Sequence, residues 1–164
     1  PGALRQGAGV AVSIDVLNES GYAVDELELV ACARHVLDRM RVHSEADLVL
    51  TLVDEAAMEA LHRQWMDLPG PTDVMSFPMD ELRPGSPGID PQEGILGDVV
   101  LCPSVAERQA QEAGHAAIEE LLLLTTHGIL HLLGFDHAQE EEKAEMFELQ
   151  RQLLLTFLAG RGRG

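Results

Sequence analysis

The stretch His127-Gly128-Ile129-Leu130-His131-Leu132-Leu133-Gly134-Phe135-Asp136-His137 defines both the central helix of the chain and the point where its chemistry gathers. Spaced four apart, His127 and His131 fall on one helix face with Cβ atoms about 5–6 Å apart, so two imidazoles can converge on one ion. Gly134 stands where the helix must stop, because glycine takes the left-handed C-cap conformation without a Cβ clash. The chain can turn back there, and His137, three residues on, can bring a third nitrogen to the same point. Three protein ligands with one coordination position left open is how catalytic zinc is held. A lone histidine in an apolar segment is ordinarily a hydrogen-bonded core residue. Three at ligand spacing around a helix-ending glycine point instead to a metal site at the end of a buried central helix.

The spacing His-x3-His-x2-Gly-x2-His is also that of the zinc proteases called metzincins. Those enzymes carry a glutamate directly after the first histidine as general base. Here that position is Gly128, which can neither move a proton nor orient water. The metal-binding half of the motif is present and the peptidase half is missing.

On either side of this stretch the chain alternates strands and helices. Residues 116–133 are apolar on almost every side and form the central helix, followed by a last helix over 138–158. That last helix has an apolar face of Ala144, Phe147, Leu149, Leu153, Leu154 and Phe157. Its acidic residues Glu140, Glu141, Glu142, Glu145 and Glu148 form a solvated outer face. Upstream, residues 10–17 alternate as a half-buried strand. Helix 25–40 opens on Asp25 and carries Leu27, Val30, Ala31, Val36, Leu37 and Met40 at helical spacing. A strand follows over 46–53, then a helix capped by Asp54 that runs to Met66 with Met58, Leu61 and Trp65 as its buried stripe. Residues 72–77 and 96–102 are strands, and Pro103 opens a helix to Ala113. The proline- and glycine-rich connection 79–94 is expected to be a mobile flap. The pattern β-α-β-α-β-β-α-α-α predicts an α/β (α+β) fold, with helices packed against a small mixed sheet of about four strands.

Three segments together resemble the YbeY family, bacterial metal-dependent endoribonucleases associated with ribosomal RNA maturation. Residues 127–137 read as H-G-x-L-H-L-x-G-F-D-H. Pro71-Thr72-Asp73-Val74-Met75-Ser76-Phe77-Pro78 resembles the family's P-T-D-V-x-S-F, and Leu96-Gly97-Asp98-Val99-Val100-Leu101 its L-G-D-[IV]-x-[IL]. In order and spacing the likeness runs from about residue 12 to about residue 157. It implies a zinc-dependent, single-strand-specific endoribonuclease acting in ribosomal RNA processing, at the 16S rRNA 3′ end, and in ribosome quality control. It also implies one zinc ion per chain, held by His127, His131 and His137. The substrate would be single-stranded or ribosomal RNA and the partners ribosomal or ribosome-assembly proteins, with no DNA or membrane. Thr72, Asp73 and Ser76 become substrate-binding candidates by the same likeness, although Asp73 could equally satisfy backbone donors in its bend. The chain departs from the family's L-N-x-x-[YW]-R pattern, reading Leu61-His62-Arg63-Gln64-Trp65-Met66, so Met66 stands where the family has a phosphate-contacting arginine.

Asp136 is either a proton acceptor and imidazole partner at the site or a turn cap. Glu120, two turns before His127 in an apolar helix, needs a salt-bridge partner, and His115 is expected to be exposed or capping. The formal net charge of −17 over 164 residues argues against tight, general nucleic-acid binding, which rests on basic patches. A metal and a few arginines can still serve RNA cleavage; Arg34, Arg39, Arg41 and Arg63 are the candidates to line the approach. Cys32 and Cys102 read as reduced core thiols. The first residues lack an apolar signal region and Leu121–Leu133 is too short to span a bilayer, which predicts a cytoplasmic protein. The length predicts one domain, folded over about 10–158, with flexible ends at 1–9 and 159–164. Two other functions compete with the nuclease: a zinc metalloprotease-like hydrolase, disfavoured by Gly128, and a non-catalytic assembly factor. The latter's structural zinc would need a fourth ligand that neither cysteine is spaced to provide.

Overall fold

The computed structural model describes residues 13–42, 47–80, 82, 84 and 94–161. The elements run β1 (Ser13–Asn18), α1 (Glu26–Arg39), β2 (Asp47–Leu52), α2 (Glu55–Met66), β3 (Val74–Pro78), β4 (Ile95–Leu101), α3 (Pro103–Ala113), α4 (Ala117–Leu132) and α5 (Glu140–Arg161). This is the expected order. The strands form a four-stranded sheet in the order β1-β2-β4-β3. β1, β2 and β4 are parallel, and β3 returns antiparallel along β4, pairing Ser76 with Val99 and Phe77 with Asp98.

Local chemistry accounts for the helix starts. Asp25 accepts the Glu28 N–H at 3.2 Å and Asp54 the Ala57 N–H at 2.8 Å, each satisfying a donor that the first turn leaves orphaned. Pro103 occupies the first turn of α3, where its missing N–H costs nothing. At the start of α4 the Glu119 carboxylate reaches back to the Ala116 N–H at 3.0 Å.

Side chains alternate across the strands, so the sheet divides the apolar core. Val99 and Leu101 point into the larger cluster, which joins the sheet to α1, α4 and α5; Val100 points into a smaller one with Met58 of α2 and Met75 of β3. α4 is the hub: Leu122, Ile129, Leu130 and Leu132 are buried, and it touches α1, α3, α5, β3 and β4. Its buried Thr125 and Thr126 hydroxyls donate to the Leu121 and Leu122 carbonyls at 2.7 and 2.9 Å, which removes the cost of two polar groups in the core.

Several expectations need correction. α1 buries Leu29, Cys32, Ala33, Val36 and Leu37, whereas Leu27 is 82% exposed; a stripe begun one step out of phase took in Leu27 and Ala31. Trp65 is 60% exposed and Ala144 lies at the surface, while Met146 belongs to the core. Residues 159–161 continue α5, so that part of the expected flexible end is helical, the backbone ladder running past its last core contacts at Phe157 and Leu158. The expected end at 1–9 and most of the flap at 79–94 lie outside the described residues, but Leu82 is buried in the main core. The cysteines are free and buried, as expected; burial pushes the Cys32 thiol up to about 11, which leaves it unreactive. Among the described residues no helix is long and apolar enough to cross a membrane.

Candidate metal centre

α4 presents His127 and His131 one turn apart, and the chain reverses immediately after them. The Phe135 N–H bonds the Leu130 carbonyl and the Gly134 N–H the His131 carbonyl, both at 3.0 Å, with Gly134 at φ 99°. This pair of bonds closes the helix only with a left-handed residue at 134, which glycine provides. His137 then comes back over the helix end, its N–H donating to Asp136 Oδ1 at 2.7 Å. One ring nitrogen from each of His127, His131 and His137 lies within 4.8 Å of the others.

These residues fit a transition-metal ion. The Nε2 atoms of His127 and His131 stand 3.1 Å apart, close to the spacing of about 3.3–3.4 Å that a tetrahedral centre with Zn–N bonds of about 2.0–2.1 Å imposes. His127 Nδ1 is 2.7 Å from Gln150 Oε1, so Nδ1 carries the proton and Nε2 keeps its lone pair for the ion. Burial, joined by the positive charge that His137 would carry, holds His127 below the ordinary histidine pKa despite its Gln150 bond. Burial followed by His127 and His137 does the same to His131. Both imidazoles are therefore neutral, the form that binds metal, at neutral pH. No fourth His, Cys, Asp or Glu joins the cluster among the described residues.

The histidines form part of the floor of an open cleft of about 620 Å³ whose walls come from β3 and the end of α2. Ser76 Oγ donates to the Gly128 carbonyl at 2.8 Å and ties β3 to the helix between His127 and His131. A Cβ at Gly128 would stand 2.6 Å from Val99 Cγ1 and 3.2 Å from Ser76 Oγ, so glycine is what allows α4 to lie this close to the sheet. Position 128 consequently points at β4 and away from the cluster. A glutamate there could not act as the metzincin base.

A family model described as Endoribonuclease YbeY matches residues 15–158. The chain belongs to the YbeY family. A protein named Endoribonuclease YbeY from Beutenbergia cavernae is 64% identical over 150 residues, covering 92% of this chain and 100% of that one. Its namesake from Acidothermus cellulolyticus is 57% identical over 154 residues, covering 92% and 94%. The solution structure of a Thermotoga maritima protein is similar with a TM-score of 0.61 at 27% identity, covering 92% of this chain and 91% of that one.

Two of the three motif segments, those at 71–78 and 127–137, meet at the cleft. Thr72, Asp73 and Ser76 line it together with Asp136, although Ser76 spends its hydroxyl on the helix and Thr72 Oγ1 lies 3.3 Å from Asp73 Oδ1. Met66 lies on the wall, where the YbeY pattern has arginine. Arg63, one turn earlier, is not among the lining residues; it pairs with Glu59 at 3.4 Å on the outer side of α2. Arg34, Arg39 and Arg41 are not among the lining residues either: Arg39 lies in a groove between α1 and α5, and α1 packs on α4 with Cys32 against Leu122 and Thr126. None of the four expected arginines lines the approach. Glu120 is buried and hydrogen-bonded to His115 at 2.6 Å, the partner its position required, and the α5 glutamates form the solvated face expected of them.

Three contributors escaped the sequence reading. Gln150 orients His127; its signal is a lone polar residue on the stripe Met146, Gln150, Leu153, Phe157, all of it buried. Phe147, expected in the core, stacks on His127 and His137 with ring centroids 6.0 and 6.2 Å away. His62 enters the cleft wall with Nδ1 2.9 Å from the Gly70 carbonyl. Replacing Gln150 with Leu removes the acceptor that fixes the His127 tautomer and is expected to weaken metal binding about 10–100-fold. Competition against a chelating dye measures it; unchanged affinity would show that the Gln150 contact does not orient a ligand.

Proposed function

We propose that this chain is a zinc-dependent endoribonuclease that cuts single-stranded RNA during ribosomal RNA maturation in the cytoplasm, at the 16S rRNA 3′ end and in ribosome quality control. Ribosomal or ribosome-assembly proteins are its expected partners. The observation that carries the reading is the cluster of three imidazoles at the floor of an open cleft, in a chain whose relatives are named for endoribonuclease activity. An all-imidazole set favours zinc among divalent ions available to an N-donor site. When bound, such an ion supplies Lewis-acid charge to a phosphoryl oxygen and activates water near neutral pH.

The chain's own groups do the rest. Gln150 and the buried end of α4 hold the ligand nitrogens in place at the floor of the open cleft. Asp136, on the wall beside His137, is the candidate to accept a proton from the attacking water, and Thr72 and Asp73 to meet the sugar–phosphate chain. The metalloprotease reading is disfavoured because position 128 faces the sheet. A structural zinc is disfavoured by the absence of a fourth ligand among the described residues. Elemental analysis of the purified protein, paired with cleavage assays on structured and unstructured RNA, tests the proposal: about one equivalent of zinc and chelator-sensitive cutting of unstructured RNA are expected. Casein hydrolysis that disappears on chelation would favour the rival.

The missing cation at position 66 gives a second test. Met66 is 57% exposed on the cleft wall, so Met66→Arg introduces a phosphate partner without disturbing the core. It is expected to tighten RNA binding and to steepen the fall of log K with log salt by about 0.7, the slope for one added contact to a single strand. Gln111→Arg, exposed on α3, adds the same single charge away from the cleft and is the control for net charge. Equal effects at both positions would show that residue 66 does not face a phosphate.

A further inference from the structure

We propose that the cleft holds RNA by its bases, with Trp65 as the platform on which an unpaired nucleobase stacks beside the three histidines. The proposal rests on the cleft being where RNA is cut. Among the described residues no lysine or arginine lines the cleft, and two of its lining side chains, Asp73 and Asp136, are acidic. In a chain of net charge −17 a phosphate backbone therefore finds no cationic side chain among the described residues lining the cleft to offset the overall negative field. The nucleobases meet something different. Trp65 lines the cleft from the last turn of α2 and is 60% exposed, a large apolar area to leave in water.

The indole is also held. Its ring meets the half-buried Phe77 ring of β3 edge-on, with centroids 5.7 Å apart and planes at 70°, a favourable geometry for aromatic pairs. Phe77 in turn packs against the smaller core cluster, so the support beneath the indole is rigid. The exposed part of the indole remains for a ligand. Stacking tolerates any base because every base has a π-face, and it requires unpaired bases, which selects single strands over duplex.

Trp65 is the single tryptophan of the chain, so its fluorescence reports on this site alone. The metal-loaded protein is titrated with an uncleavable 2′-O-methyl oligouridylate and with an abasic oligomer of the same length and charge. Quenching by the base-bearing oligomer is expected, together with a preference over the abasic one of roughly 5- to 150-fold, the range set by stacking of a single base. Trp65→Ala, followed by competition with a labelled oligomer, should erase that preference, and Trp65→Phe should recover much of it. In cleavage of unstructured RNA, Trp65→Ala should raise KM with little change in kcat, the mark of lost uniform binding. Equal affinity of the wild-type protein for both oligomers, or an unchanged KM in Trp65→Ala, overturns the stacking platform while leaving the endoribonuclease intact. A wild-type protein that cuts no RNA when loaded with metal overturns the endoribonuclease reading itself, and the oligomer preference then decides the platform separately.

Discussion

Replacing His131 with Ala is expected to release the bound metal and to lower RNA cleavage by about 10³-fold or more. The ion's charge at a phosphoryl oxygen is worth several kcal/mol in the transition state, and each 1.36 kcal/mol is a factor of ten in rate. His131 is central to the cluster: its Nε2 is 3.1 Å from that of His127, and its ring centroid lies 5.1 Å from that of His137. Two imidazoles on mobile geometry hold zinc poorly where three hold it well. The loss should not come from unfolding, since His127 and His131 are half-buried, His137 is exposed and the α4 core beneath them is apolar. Far-ultraviolet circular dichroism and the denaturation midpoint of the metal-free protein should match wild type. His137→Ala separates the ligands further. His137 sits beyond the helix on the turn set by Gly134, and retention of a full equivalent of metal by this variant would remove it from the ligand set.

Gly128→Glu, which rebuilds the metzincin glutamate, is expected to cost about 3 kcal/mol or more of stability and to confer no peptidase activity. Even a Cβ there overlaps Val99 Cγ1 at 2.6 Å, and Val99 is β-branched and buried, so it has little freedom to yield. Overpacking of this kind costs about 1–3 kcal/mol, and a carboxylate forced between helix and sheet without a partner adds several more. Better helix propensity returns only about 1 kcal/mol. Gly128→Ala isolates the first contribution, and its net loss should be smaller by the whole carboxylate cost. Urea denaturation of the three proteins gives the series. A Gly128→Glu protein as stable as wild type that hydrolyses casein in a metal-dependent way would mean that position 128 faces the metal after all.

Much of this molecule was written locally. The helix-capping aspartates, Pro103 and the 3.6-residue periodicity act over a few neighbouring residues, so element order and a mixed sheet of the right size followed from the sequence. The histidine cluster was legible for the same reason: the spacing of His127 and His131 and the turn at Gly134 bring three imidazoles together within eleven residues. The solvated acidic face of α5 and the buried Glu120 were equally local.

Which groups surround that cluster was decided by tertiary structure. Gln150 and Phe147 reach the histidines from α5 only because α5 packs along α4, and nothing in their own segment marks them for a metal site. Arg34, Arg39 and Arg41 looked like the RNA approach in a chain short of cations, but α1 packs on α4 at Leu122 and Thr126, and none of the three lines the cleft. Trp65 read as core because its helical phase matched Met58 and Leu61. The small cluster under α2 ends before the last turn and leaves the indole in the cleft. Gly128 shows both levels at once: sequence established that no base stands there, and the 2.6 Å approach to Val99 supplied the reason. Helix phase and turn chemistry are properties of short segments, whereas the face a helix offers a distant site depends on how whole elements dock.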